Sequence, residues 1–501
     1  MQRMLPFAAA WCLVGCADRV GATADATVTP ADAAVDGRTG EVGDAGPDAV
    51  RVRTCSELRL LEVVSTPGRA NVAYPGARLE LRGNDLVSID RVSVGGVEMP
   101  FTREGDVVRT RVPAMLAVGA QSVVVANERC SASHPLTLSR LMARVPYAGG
   151  RVALHDWVGL DDAGSLDTGL ATIAQAAFTM DGTGLLLRDR DGRVAVAWVA
   201  DARVVALPWR AMGPFVLAQG TVVPTQSLLA VPTGAASGML RVDTEAQAVT
   251  AYEGPASDPI GVATTLDGFR ALVLDRGGVG YALDRPFART PAWERFGAFT
   301  NVRAPAEIAM EQGDAVTIHG PLAAVYDASD PPAILPMDSL TGRLGERLEV
   351  PGAVGNLFFL SGDVVALDAR TPEVITVDIT PLTGTIDRHA LEGEARDGVV
   401  RTHTAVTLYK LGAVVLRATT GGAPEGAMLH VIDYHREPAV EERQVRVAGL
   451  RGVVGVQGAG DPFVVWTARE MIRVRGDDGV IERRRTIPVG DGDVGFVVVH
   501  R

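Results

Sequence analysis

Thr265-Leu266-Asp267-Gly268-Phe269-Arg270-Ala271-Leu272-Val273-Leu274-Asp275 holds a turn, an apolar core and a polar stop. Asp267-Gly268 is turn chemistry, because glycine accepts positive φ without a steric penalty. The unbroken run Ala271–Leu274 reads as the apolar core of a short strand. Comparable cores stand at Leu185-Leu186-Leu187, Leu228-Leu229-Ala230-Val231, Ala323-Ala324-Val325, Val364-Val365-Ala366-Leu367, Val414-Val415-Leu416 and Phe463-Val464-Val465-Trp466. Their first members recur every 41 to 52 positions. Several cores stop at an aspartate: Asp189, Asp275, Asp327 and Asp368. A second strand follows each, often closing on another: Asp201, Asp243, Asp284, Asp338, Asp378 or Asp433.

A period of about 40–50 residues with up to four short strands per unit is the pattern of a β-propeller blade. The quoted segment resembles the divergent YVTN/WD-like propellers of exported bacterial proteins, although no Trp-Asp or Gly-His pair recurs. Seven units are legible. Val494–Val499 either closes the ring with a strand near Arg151–Leu154 or makes an eighth blade. An array of sandwiches or a solenoid is the competing architecture.

The N-terminus carries an address. Arg3 precedes an apolar run from Met4 to Gly15, too short to span about 30 Å of hydrocarbon as a helix. A basic start with a short apolar core is the form of a secretory signal. The run ends Leu13-Val14-Gly15-Cys16, which resembles the lipobox of bacterial lipoproteins. That resemblance implies cleavage after Gly15 and acylation of Cys16; two or more acyl chains give stable anchoring. Ala17 follows the cysteine, where an aspartate retains some lipoproteins at the inner membrane, so the resemblance implies the outer membrane or cell surface. Residues 16–52 have no aromatic side chain and many Ala, Thr, Gly and Asp, a composition that cannot offset its ordering entropy. As a flexible tether, about 36 residues reach roughly 30–36 Å.

With Cys12 removed and Cys16 acylated, Cys55 and Cys130 remain, and an even pair in an exported chain favours a disulfide over two buried thiols. Closing a loop of about 75 residues contributes on the order of 4 kcal/mol in the chain-entropy model. Between them, alternating runs at Leu58–Ser65, Arg78–Arg82, Arg91–Val94, Val107–Val112 and Ser122–Ala126 are separated by turns, the pattern of a small antiparallel sandwich. Pro75-Gly76, Leu79-Glu80-Leu81, Gly83-Asn84, Val92-Ser93-Val94-Gly95-Gly96, Val112-Pro113 and Val123-Val124-Val125 resemble the IPT/TIG domain, an immunoglobulin-like fold. Asp85-Leu86 stands where that family commonly has phenylalanine. The expected fold is therefore all-β: signal peptide 1–15, lipidated tether 16–52, Ig-like sandwich 53–142, and a seven- or eight-bladed propeller over 145–501.

The 501 residues are 47% hydrophobic and 22% charged, with a net charge of −12 and a single lysine, Lys410. Phosphate affinity comes from clustered positive charge, so a nucleic-acid partner is not expected. No phosphate-binding loop, His-Glu-x-x-His, Gly-x-Ser-x-Gly or Cys-x-x-Cys occurs. Asp189-Arg190-Asp191-Gly192 opens like a calcium loop but lacks the distal glutamate, and reads as a hairpin turn. Eight histidines are scattered. His430 and His435, five positions apart on a strand, fall on opposite faces, against joint metal ligation; each reads as a half-exposed strand residue. Arg475-Gly476-Asp477 is a chance adhesion tripeptide, and Arg483-Arg484-Arg485 a solvated outer strand.

No catalytic residue, metal or cofactor is expected. The reading is a lipid-anchored, non-catalytic envelope protein whose propeller binds a protein or glycan. The alternative is an exported propeller enzyme of lactonase, glycan lyase or quinone-dependent dehydrogenase type, which needs an unrepeated set of carboxylates or histidines at the channel.

Overall fold

The computed structural model describes residues 57–500, apart from residues 115, 180, 218–225, 234–236, 265–269, 285–291, 299–301, 304, 311–321, 339–342, 352–353, 361–362, 369–371, 379–384, 408–409, 434–438 and 457–461. The signal peptide, Cys16, the tether and Cys55 lie outside the described residues. All of those described belong to one compact unit, Thr54–Arg501.

Two sheets form the N-terminal part. One orders the strands Arg59–Thr66, Arg78–Asn84, Val107–Arg111 and Thr102–Glu104; the other orders Val72–Ala73, Ser131–Leu138, Gly119–Ala126, Arg91–Val94 and Val97–Glu98. Alternation decides which side chains turn inward. Leu79, Leu81 and Val108 of the first sheet, and Val92, Val94, Val123 and Val125 of the second, are buried in one shared cluster. Fully burying each such side chain is worth about 1.5–3 kcal/mol. The tight turn between Val94 and Val97 places Gly95 at φ 58 and Gly96 at φ 82, where a side chain is strained. Cys130 stands just before Ser131–Leu138.

The rest is a β-propeller. It holds eight four-stranded antiparallel sheets among its described residues. Seven are meanders of consecutive strands, from Ile173–Phe178, Gly184–Asp189, Arg193–Trp198 and Arg203–Arg210 to Gly452–Val454, Phe463–Trp466, Glu470–Val474 and Ile481–Thr486. The eighth, here the closing sheet, orders Asp162–Asp167, Arg151–Asp156, Leu141–Pro146 and Val494–Val499. The C-terminal strand therefore pairs with Leu141–Pro146, Met142 opposite Val499 and Val145 opposite Phe496, and not with Arg151–Leu154. The strand Leu141–Pro146 runs across the boundary expected between 142 and 145.

First strands neighbour first strands around the ring: Val494–Val499 meets Ile173–Phe178 on one side and Gly452–Val454 on the other. The seven apolar cores are the second strands of their sheets. They are unbroken because a second strand is covered by a neighbouring sheet on each face. Lys410–Arg417, for instance, sends Val414 and Leu416 to Val453 and Phe463, and Leu411, Ala413 and Val415 to Val374.

Meandering strands alternate in direction, so connections after first and third strands share one face of the ring, and those after second and fourth strands share the other. The N-terminal sheets sit on the first face. Gly68 donates its amide to the Ala163 carbonyl at 3.2 Å, Arg69 pairs with Asp161 at 2.8 Å, and the Tyr74 hydroxyl bonds Asp156. Burial first, then the Asp156 charge, raises the Tyr74 phenol above its ordinary value.

Candidate functional site

A cleft of about 1220 Å³ lies where the N-terminal sheets meet the ring. Sites at the junction of two structural parts are common because concave surface arises there without carving either core. Its apolar wall is Val97, Met99, Phe101 and Leu116. Met99, Phe101 and Leu116 pack against the buried cluster at their backs, and Val97 is 44% exposed. The Arg103 guanidinium covers one side of the Phe101 ring at 5.8 Å.

The opposite wall comes from two turns of the ring. Asp181, buried, accepts from the hydroxyls of Thr179 at 2.8 Å, Thr183 at 2.9 Å and Thr244. That carboxylate ties the turn after Ile173–Phe178 to the turn after Ser237–Asp243, so the wall is fixed before any ligand arrives. At the rim, the Arg82 hydrogen bond to Glu80 holds its carboxyl below the ordinary value, with Arg109 adding to the effect.

Asp201 fixes the width of the cleft. It accepts from Arg111 at 3.2 Å, from Arg78, and from the Gln247 amide. Burial pushes this carboxyl up, and Gln247 with the two guanidiniums outweighs burial, so it titrates below its ordinary value. The arrangement offers a hydrogen-bonding wall, an apolar strip and a charged rim, which suits holding a ligand.

The repeated aspartates divide by role. Asp189, Asp275 and Asp327 are buried and accept from backbone amides: Arg193 at 2.8 Å, Asp258 at 2.8 Å and Arg303 at 3.1 Å respectively. They hold the strand ends to neighbouring turns. Arg193 and Asp189 also close Asp189–Gly192 as a hairpin turn, with Gly192 at φ +83. Asp201 departs from this pattern by reaching out of the ring.

His435 lies outside the described residues, and His430 corrects the expectation of a half-exposed strand residue. It is fully buried, with Nδ1 2.9 Å from Glu441 and Nε2 3.2 Å from Glu394. Arg475 is engaged by Glu482 and Asp478. Arg483–Arg485 belong to the outermost strand of their sheet, Arg484 exposed beside Glu470 and Arg485 paired with Asp162. Among the described residues no group of three or more His, Cys, Asp or Glu is placed to hold a metal ion. The cleft residues went unseen in the sequence; Asp201 had only its place in the repeat.

Against known proteins, the fold finds likenesses that the sequence does not. No protein-family model matches the chain, and no curated protein sequence does. Dihydro-heme d1 dehydrogenase NirN, solved in complex with DHE, is similar at TM-score 0.50 and 11% identity, covering 71% of this chain and 74% of that one. Apo AztD from Citrobacter koseri is similar at TM-score 0.46 and 13% identity, over 72% and 98%. BamB from Moraxella catarrhalis follows at TM-score 0.40 and 14% identity, over 68% and 89%. At 11% identity the likeness to NirN bears on the fold alone, and that fold is the β-propeller.

Proposed function

We propose that the protein is an exported lipoprotein, anchored through Cys16, that binds an envelope protein or glycan without transforming it. We read the two N-terminal sheets as the Ig-like domain, fastened by a Cys55–Cys130 bridge, and each four-stranded sheet of the ring as a blade, eight in all. The observation that carries the binding role is the cleft itself: an apolar strip and a polar wall held at fixed separation by Asp201. A site rigid before binding spends little ordering entropy on its ligand.

The test is photo-cross-linking in the native envelope, with a reactive residue placed at Val97 in the cleft or at Val489, 81% exposed on the other face. One species captured from position 97 and not from 489, and lost in Phe101→Arg, supports the reading. Glycosidase treatment of that species tells glycan from protein. Equal capture from both positions, or none, overturns it. Separately, Cys16→Ser is expected to move the protein from the membrane to the soluble fraction, and retention in the membrane fraction overturns the anchor.

A further inference from the structure

The face of the ring away from the cleft carries a second, smaller hollow of about 240 Å³, lined by Tyr147, Arg401, Gly422, Arg451 and Gly495 among others. All stand at connections after second or fourth strands or at the starts of first strands, so the hollow opens on the face opposite the N-terminal sheets. Its two arginines differ. Arg451 is fixed, its side chain 14% exposed and its guanidinium held by Glu425 at 3.2 Å and Asp493 at 3.8 Å. Arg401 is exposed, and neither a hydrogen bond nor an ion pair engages its guanidinium among the described residues.

Charge around the hollow runs against the charge of the chain. Asp493 is shared with Arg469 at 3.0 Å, and Arg190 lies over the Tyr147 ring at 5.6 Å. With the Arg144–Asp491 pair at 3.4 Å on the same loop counted on both sides, five arginines (144, 190, 401, 451 and 469) stand beside three carboxylates (Glu425, Asp491 and Asp493). A local excess of guanidinium in a protein of net charge −12 attracts an anion, and the planar fork of arginine suits an oxyanion.

We propose that this hollow binds a small oxyanion, a carboxylate or a phosphate. The fixed guanidinium of Arg451 and the unengaged one of Arg401 both contact it, and the Tyr147 hydroxyl donates a further hydrogen bond. The volume is below the roughly 300–1,000 Å³ of drug-sized sites, so the ligand is one acidic unit, free or at the end of a larger molecule.

Calorimetric titration of the whole protein with glucuronic acid, glucose 6-phosphate and glucose tests this. Binding of either acid but not of glucose, weakened by raising salt from about 0.05 to 0.5 M, is expected, and which acid binds names the group. Arg401→Ala is expected to weaken binding about 10- to 100-fold, as loss of a charge-assisted contact does, and Arg401→Lys to restore part of it. The Arg401 side chain makes no hydrogen bond or ion pair among the described residues, so its variants should melt with the wild type at neutral pH. Failure of both acids to bind, equal binding of glucose, or full affinity in Arg401→Ala overturns the proposal.

Discussion

Arg111 Nη2 lies 3.2 Å from Asp201 Oδ1, joining residues 90 positions apart across the junction of the N-terminal sheets and the ring. Arg78 completes the clamp from the neighbouring strand. The Asp201 side chain is 7% exposed while its two arginines are 55% and 42% exposed, so the carboxylate is the member that needs partners. Asp201→Asn keeps the shape and removes the charge. Allowing for solvent around the guanidiniums, it is expected to cost about 1–3 kcal/mol. Scanning calorimetry should then show the single transition dividing in two as the N-terminal sheets loosen; an unchanged single transition counts against the clamp. The pH dependence follows from a folded value below the unfolded one. The clamp contributes fully above about pH 4 and is lost as pH falls through the lower folded value.

Gly76 tests the same junction sterically. A Cβ there would stand 2.0 Å from Thr183 Cγ2, and the residue holds φ +72. Gly76→Ala therefore forces the sheets off the ring and is expected to cost about 1–3 kcal/mol. Thr183→Ser removes the offending methyl yet keeps the hydroxyl that bonds Asp181 at 2.9 Å. Combined with Gly76→Ala, it should recover much of the loss in melting temperature. A double variant no better than Gly76→Ala would place the strain in the backbone alone.

Seven second strands were legible because a strand covered on both faces is written as an unbroken apolar run, as in Gly184–Asp189. The eighth was not, since Leu141–Pro146 carries Arg144 in its middle, buried toward Asp491. First strands are harder still: Val399–Val406 carries Arg401, Thr402 and His403 and so lacks an unbroken apolar run. Ser131–Leu138 hides likewise, with only Leu136 and Leu138 of its eight residues buried. The strand-end aspartates signalled their role because each also has a partner near in sequence: Arg193 for Asp189, Gly277 for Asp275 and Ser329 for Asp327. The cleft left no mark. Its walls come from residues near 100 and near 245, and nothing local in a chain records which distant turns a docked sheet will face.

His155 is buried in the closing sheet, with Asp162 3.3 Å from Nδ1. Desolvation, then the charge of Arg485 and more weakly that of Arg144, lowers it to about 4, against the pull of Asp162 and Asp491. Its folded value is below the unfolded one, so folding favours the neutral ring. That contribution is whole above about pH 6.5 and drains away as pH falls toward 4, a loss of about 3 kcal/mol. Chemical denaturation across this range should show stability falling with acid, and His155→Gln should flatten the slope. A slope unchanged in His155→Gln would assign the acid sensitivity elsewhere.

The last strand decides whether the ring holds. Val494, Val497 and Val499 are buried with Met142, Trp157, Val464, Trp466 and Met471, between the closing sheet and the one built on Phe463–Trp466. Removing residues 494–501 strips the innermost strand from the closing sheet and uncovers the flank of Ile173–Phe178, which it also touches. At about 1.5–3 kcal/mol for each buried valine, the loss approaches the 5–15 kcal/mol total stability common to folded domains. The truncated chain is expected to lose cooperative unfolding. A peptide of residues 494–501 added in trans should restore it, since the four partners on Leu141–Pro146, from Met142 to Val145, keep their register with Phe496 to Val499. A truncated chain melting within a few degrees of the full one would mean that neighbouring sheets hold the ring without its closing strand.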